Sequence, residues 1–244
     1  MFDILIACLL SDLPDLQSLP GVASATVAVE CDSPKLTIIH IRDWHFIERQ
    51  SFALDVQDAS GEPLTDDEVD KLLAEHRETV ATIQKQQRRL ILALIKQLGV
   101  KQVFQEGLFV EQLPAYRKRI DILRDFQKYL SDGDSPLDQF TRYEYQTDML
   151  QIGVPGQLWI ENKIEGIAPV ENKAAYEAAN PIRDGKVVFD ESLNEAREDA
   201  IARNLLEAKC RTAVLLLGGT HDLSDNVPAG VKLIVLTVKG YPGE

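Results

Sequence analysis

Residues 212–225 read Thr-Ala-Val-Leu-Leu-Leu-Gly-Gly-Thr-His-Asp-Leu-Ser-Asp. The apolar run predicts a buried strand, and the glycines after it free the backbone to turn. His221 follows at once. In an α/β protein this is how a polar side chain reaches the C-terminal rim of a parallel sheet, where ligands bind.

The same pattern recurs upstream. Residues 35–42 (Lys-Leu-Thr-Ile-Ile-His-Ile-Arg) predict a strand that ends at Asp43-Trp44-His45. Residues 100–105 form a shorter one closed by Glu106-Gly107, and 164–170 a third that ends at Glu171. Pro169 marks that strand as short or at an edge. Residues 23–30 and 232–238 add the first and last strands, and the first is suited to antiparallel pairing at an edge.

Helical segments alternate with these strands. Thr65-Asp66-Asp67-Glu68 is a capping box, and the helix after it runs to about Leu98, before Gly99. Its apolar stripe includes Val69, Leu73, Val80, Ile83, Leu90, Leu94 and Leu98, with His76 and Gln87 on the same face. Spacings of three and four suit a helix that covers the sheet or packs on a second copy to form a homodimer. Further helices are expected over about 109–130, 137–150, 156–162 and, from a second capping box at Ser192-Leu193-Asn194-Glu195, to about Lys209. Asp58–Asp67, Ser131–Pro136 and Pro181–Lys186 read as loops. The expected architecture is α/β, a mainly parallel central sheet flanked by helices in a single domain over 1–244, with one long helix at about 66–98.

Composition narrows the partners. The chain has 244 residues and a net charge of −13, which repels phosphate backbones and argues against nucleic acid. Cys8, Cys31 and Cys210 make no CxxC pair, and their odd number is a poor disulfide framework, so a reducing, cytoplasmic setting is expected. Leu5-Ile6-Ala7-Cys8 superficially resembles a lipoprotein box. However, Asp3 and the absence of Lys or Arg before it argue against a signal and lipid anchor. No apolar run has the length of a transmembrane helix, so no membrane association is expected.

A parallel sheet would bring His45, Glu106, Glu171 and His221 to one crevice. Two imidazoles with carboxylates suit metal ligation, by His45, Glu106 and His221, or acid–base work. Each residue also has a plain structural use. Asp43 could pair with Arg42, Glu106 could cap the next helix, and His221 could close a turn. His40 alternates with Ile39 and Ile41, faces away from both, and reads as structural. On the helix after Ser192, Arg197, Ile201, Asn204 and Ala208 share a stripe, with Glu198 beside it. An arginine on a half-buried stripe calls for an acidic partner or a bound anion.

The ordered set resembles the TraB/ChaN/erythromycin-esterase-like superfamily. Asp43-Trp44-His45 is similar to its Gly-Glu-x-His or Gly-Thr-x-His opening, without the glycine. Phe104-Gln105-Glu106-Gly107 looks like its strand-ending glutamate. Arg197–Asn204 resembles its Glu-Arg helix, although Ala196-Arg197-Glu198 stands where Glu-Arg would be. Gly218-Gly219-Thr220-His221 matches its second Gly-x-x-His element.

The resemblance implies an α/β fold with a site made by His45, Glu106, Arg197 and His221, and Asp43, Glu171, Glu198 and Asn204 as secondary candidates. It also implies one of several chemistries. The first is hydrolysis of an ester or peptide bond in a small-molecule or peptide substrate. There His45 or His221 activates water, directly or on a divalent metal (Mn, Co or Zn), and Arg197 stabilises the oxyanion. The alternative is haem or iron binding, with the histidines or Tyr143 and Tyr145 as ligands. A third reading is a catalytically silent interaction protein that uses the long helix.

Overall fold

The structure, a computed structural model, describes residues 13–61, 63–183 and 186–243. The Leu5–Cys8 stretch lies outside them. After a 3-10 turn, the first half of the chain forms β1 (Val22–Val29), β2 (Leu36–Asp43), α1 (Arg49–Ser60), α2 (Asp66–Leu98) and β3 (Gln102–Gln105). Next come α3 (Leu113–Phe126), α4 (Pro136–Ile160), β4 (Gly166–Pro169), α5 (Lys173–Ala178) and the small strands β5 (Ile182–Arg183) and β6 (Lys186–Val187). The chain continues through α6 (Glu191–Glu207), β7 (Thr212–Gly218) and β8 (Val231–Val238).

The apolar runs build one six-stranded sheet in the order β1-β8-β2-β7-β3-β4. All neighbours are parallel except β1, which pairs antiparallel with β8 at the edge. The α/β architecture is therefore as expected, including the antiparallel first strand and the edge position of Pro169. β5 and β6 form a separate hairpin.

Helices cover both faces, which is why β7 reads as an apolar run and β2 is buried from Leu36 to Ile41. On one face Ile39, Ile41, Val214 and Leu216 pack with Ile83, Leu90, Ile91 and Leu94 of α2 and Val154 and Leu158 of α4. On the other, Ile38, Leu215, Leu217 and Leu233 pack with Ile201 and Leu205 of α6. His40 shares this second face. It is buried, and one ring nitrogen, Nε2, stands 3.1 Å from the Leu217 carbonyl.

The long helix begins and ends where its caps predict. The Thr65 hydroxyl accepts from the Glu68 N–H, the Glu68 carboxylate accepts from the Thr65 N–H, and Gly99 closes the helix in the left-handed region. At the start of α6 the expected capping box is replaced. Asp190 is the cap, its Oδ1 accepting from the N–H groups of Ser192 and Leu193, at 3.1 and 3.2 Å. The Ser192 hydroxyl donates to the same oxygen. A carboxylate is the stronger acceptor against the positive end of the helix, so it displaces the serine from that role.

Three other expectations need correction. Residues 49–60 form α1, although their apolar periodicity is weak. Contacts outside the helix hold it, with Arg49 donating to Asp66 and Asp70 of α2 and Phe52 stacked near His76. α5 was likewise not expected. The helices expected at 137–150 and 156–162 run together as α4, with a break at Gly153 (φ 64°) just before Pro155.

Among the described residues, no helix is long and apolar enough to cross a membrane. Cys31 and Cys210 are free thiols.

The Gly153 break is left-handed backbone that a Cβ disfavours. Gly153→Ala should lower stability by about 1–2 kcal/mol, read as a lower thermal midpoint by circular dichroism with helix content retained.

Candidate functional site

Four adjacent strands, β2, β7, β3 and β4, end side by side, and each delivers a polar group just past its last residue. β2 leads to His45, β7 to His221, β3 to Glu106 and β4 to Glu171. The rim that the strand pattern predicts is therefore built, and α6 lays Arg197 and Glu198 across it.

Glu106 is the centre. Its Oε2 accepts from the Gly218 N–H at 2.5 Å and lies 2.8 Å from His45 Nε2. Its Oε1 accepts from Arg197 Nη2 at 2.6 Å and stands 3.3 Å from His221 Nε2. The Arg197 guanidinium also grips Glu171 through Nη2 (2.5 Å) and Nε (3.2 Å), with Nη1 3.2 Å from His221 Nε2. Glu171 is buried and accepts as well from the Gly107 N–H. Arg197 thus has the acidic partners its stripe called for.

Each histidine has a second carboxylate. His45 Nδ1 lies 3.0 Å from Asp43 Oδ2, and His221 Nδ1 lies 2.6 Å from Glu198 Oε1. Asp43 is held in turn by Gln87 of α2, whose Nε2 donates to Oδ1 at 2.8 Å. Glu198 is held by Asn194 one turn earlier on α6, at 2.7 Å. The His45 side chain keeps 46% of its exposure while that of His221 keeps 7%. Both His45 nitrogens face carboxylates, so the water-facing part of His45 is its carbon edge.

Asn204 is the exception among the expected residues. It donates to the Val170 carbonyl at 2.8 Å and makes no contact with the charge cluster. It supports the backbone that carries Glu171. Tyr143 and Tyr145 sit on α4, one exposed and one buried, and make no contact with the histidines.

Sequence reasoning missed Asn194, Tyr176 and the roles of Gln87 and Gly218. Gln87 did leave a signal, as a polar residue on the apolar stripe of α2. Tyr176 stacks under the Arg197 guanidinium at 4.9 Å, but from an unexpected helix. Gly218 is favoured by proximity, since a Cβ there would stand tightly, 3.2 Å from Glu106 Oε2 and 3.3 Å from His45 Nε2.

The electrostatics follow from crowding. Asp43, Glu106, Glu171 and Glu198 face one guanidinium and two imidazoles, so proton uptake by the rings relieves carboxylate repulsion. Burial would push His45 down, but Glu106 and Asp43 outweigh it and hold its pKa well above the ordinary 6.5. Burial likewise opposes His221, yet the hydrogen bonds it donates to Glu106 and Glu198 raise it to about 9. Burial would raise Glu106, whereas the His45 charge, bonds from both histidines and Arg197 hold it well below the carboxylate range. His40 behaves oppositely, because burial without a carboxylate partner lowers it to about 4.

Among the described residues, no three His, Cys, Asp or Glu side chains are arranged to hold a metal ion. The guanidinium of Arg197 stands against Glu106 and His221, two of the three expected metal ligands. The donor set does not fit a divalent metal. Haem ligation meets the same obstacle, since every histidine nitrogen in the cluster already faces a protein partner.

No family model, curated protein or solved structure matches the chain.

His221 has a clear linkage. Its folded pKa is raised from 6.5 to about 9, so its stabilisation is complete below pH 6.5 and is lost as pH rises through 9. The effect is on the order of 3 kcal/mol. Urea midpoints should therefore fall between pH 6.5 and 9.5 in the native protein. They should fall less steeply in His221→Gln, which is already destabilised at pH 6.5 and keeps only the contribution of His45. Equal slopes would show that His221 is neutral in the fold.

Proposed function

We propose that the chain is a hydrolase of ester or peptide bonds, a divergent relative of the TraB/ChaN/erythromycin-esterase-like superfamily, and that His45 is its acid–base group. The observation that carries this reading is the line Asp43–His45–Glu106 at the rim, with the imidazole held at both nitrogens and open to water along one edge.

A histidine used for proton transfer needs one nitrogen oriented and the other presented to the reacting atoms. Asp43 orients Nδ1 and offsets the charge of the imidazolium. Nε2 points to Glu106. Above the raised pKa, neutral His45 keeps its proton on Nδ1 beside Asp43, and a water that inserts between Nε2 and Glu106 Oε2 gives its proton to Nε2 as it attacks the substrate carbonyl. The imidazolium then returns the proton to the leaving oxygen or nitrogen.

Glu106, fixed by Gly218 and Arg197, keeps Nε2 aligned and is a positioning residue. So is Arg197. Its nitrogens are engaged by Glu106, Glu171 and His221, which favours holding the carboxylates over stabilising an oxyanion. No step passes through a metal, since Arg197 stands against Glu106 and His221, two of the donors it would need, or through haem, since each imidazole nitrogen of the cluster faces a protein partner.

The test is hydrolysis of a panel of p-nitrophenyl esters and short peptides across pH 6–10. Activity should rise with pH, along a limb above the ordinary imidazole value. His45→Gln should reduce kcat by roughly 100-fold or more. Asp43→Asn should lower kcat and move the limb toward acid, because loss of the Asp43 charge lets the ring lose its proton more easily. A native protein inactive across the panel, or a His45→Gln variant with full activity, would sink the proposal.

A further inference from the structure

Away from the charge cluster, a cavity of about 950 Å³ opens between α2 and α4, with the first turn of α1 at one end. That volume is in the range of small-molecule sites. α2 lines it with Leu73, Ala74, Arg77, Glu78 and Ala81, which precede the Ile83–Leu94 stretch that packs on the sheet. Met149 and Leu150 of α4 and Phe46 complete the apolar part of the lining.

The far wall is built rather than incidental. The carbonyls of Met149 and Leu150 lie in the last turn before the break at Gly153. Two side chains satisfy them. Gln157 donates to the Met149 carbonyl and Gln84 to that of Leu150, both at 2.9 Å, and Gln157 also donates to Gln84 at 2.9 Å. Gln84 is buried, so this pair fixes the wall from below.

Charge defines the occupant. Both cations of the lining are engaged. Arg49 donates to Asp66 and Asp70, at 2.9 and 2.6 Å. Arg77 lies 4.1 Å over the Tyr143 ring and donates to Thr147 and to the Tyr143 carbonyl. Glu48, Asp70 and Glu78 line the same space, so acids outnumber bases. A carboxylate or phosphate would enter beside Glu48 and Glu78 and would have to compete with the groups that already hold Arg77, whereas an apolar body finds Leu73, Met149, Leu150 and Phe46.

We propose that this cavity is a binding site for an uncharged or cationic amphiphilic small molecule that seats an alkyl or ring body between α2 and α4. The site does not depend on the hydrolytic reading, although Phe46 adjoins His45 in the chain.

The test uses the full chain and the neutral dye N-phenyl-1-naphthylamine, followed by fluorescence. Ala74→Trp and Ala81→Trp fill the cavity from exposed helix positions, and thermal midpoints close to the native one confirm that they fold. The native protein should enhance the dye, and each variant should weaken its binding by about ten-fold or more. Below their micelle concentrations, 1-decanol and dodecyltrimethylammonium should displace the dye. Dodecanoate should need at least roughly ten-fold more. His45→Gln should bind the dye like the native chain, so loss of hydrolysis and loss of this site are separable. No enhancement in the native protein, native-like binding in both tryptophan variants, or equal displacement by dodecanoate would overturn the proposal.

Discussion

A carboxylate taken out of water must be met by charge and hydrogen bonds, and Glu106 is met on every side. Gly218 donates a backbone N–H, Arg197 donates from α6, and His45 and His221 stand against its two oxygens. Removing one partner from such a group leaves an uncompensated buried charge, which costs about 3–5 kcal/mol. The protonation of the histidines follows from the same requirement. Arg197 alone leaves the four carboxylates far from neutral, and the imidazoles supply the missing positive charge. The raised pKa of each ring is thus a property of the cluster, not of either histidine.

The cluster in turn rests on strand order. β7 lies between β2 and β3, with Gly218 opposite Asp43 and Leu216 opposite Gln105. This placement puts the end of β7 between His45 and Glu106, where a side chain would crowd their contact. Gly219 carries a second such constraint, since a Cβ there would collide with the Tyr241 hydroxyl at 1.9 Å. The two glycines thus let two different layers close, one above the rim and one beside it.

Much of this was legible in the residues. Apolar runs ending in Asp43-Trp44-His45 and Gly218-Gly219-Thr220-His221, and the shorter 100–105 segment ending in Glu106-Gly107, pointed to strands and to the side chains at their ends. The cap at Thr65 gave the start of α2, since its partners are local. What stayed hidden depends on partners distant in sequence. α1 is weakly amphipathic and is held by Arg49 against α2. Asp190 took the cap from Ser192 through the strength of its charge. Asn204 shares the stripe of Arg197 but lies further along α6, where it meets the Val170 carbonyl instead of the cluster. The carboxylate pairing of the histidines, which decides their protonation, had no local signature.

The central position of β7 also bears on how the molecule is made. β2 and β3 are complete by residue 105, yet the strand that joins them begins at residue 212. Until it arrives, neither strand has its neighbour on that side, and the Gly218 N–H is not in place to receive Glu106. Such pairing across a long stretch of chain slows folding and prolongs the exposure of open strand edges. The alternation of sheet and helix therefore leaves a gap in the middle of the sheet while residues 106–211 are made. The charged rim can assemble only when that gap is filled.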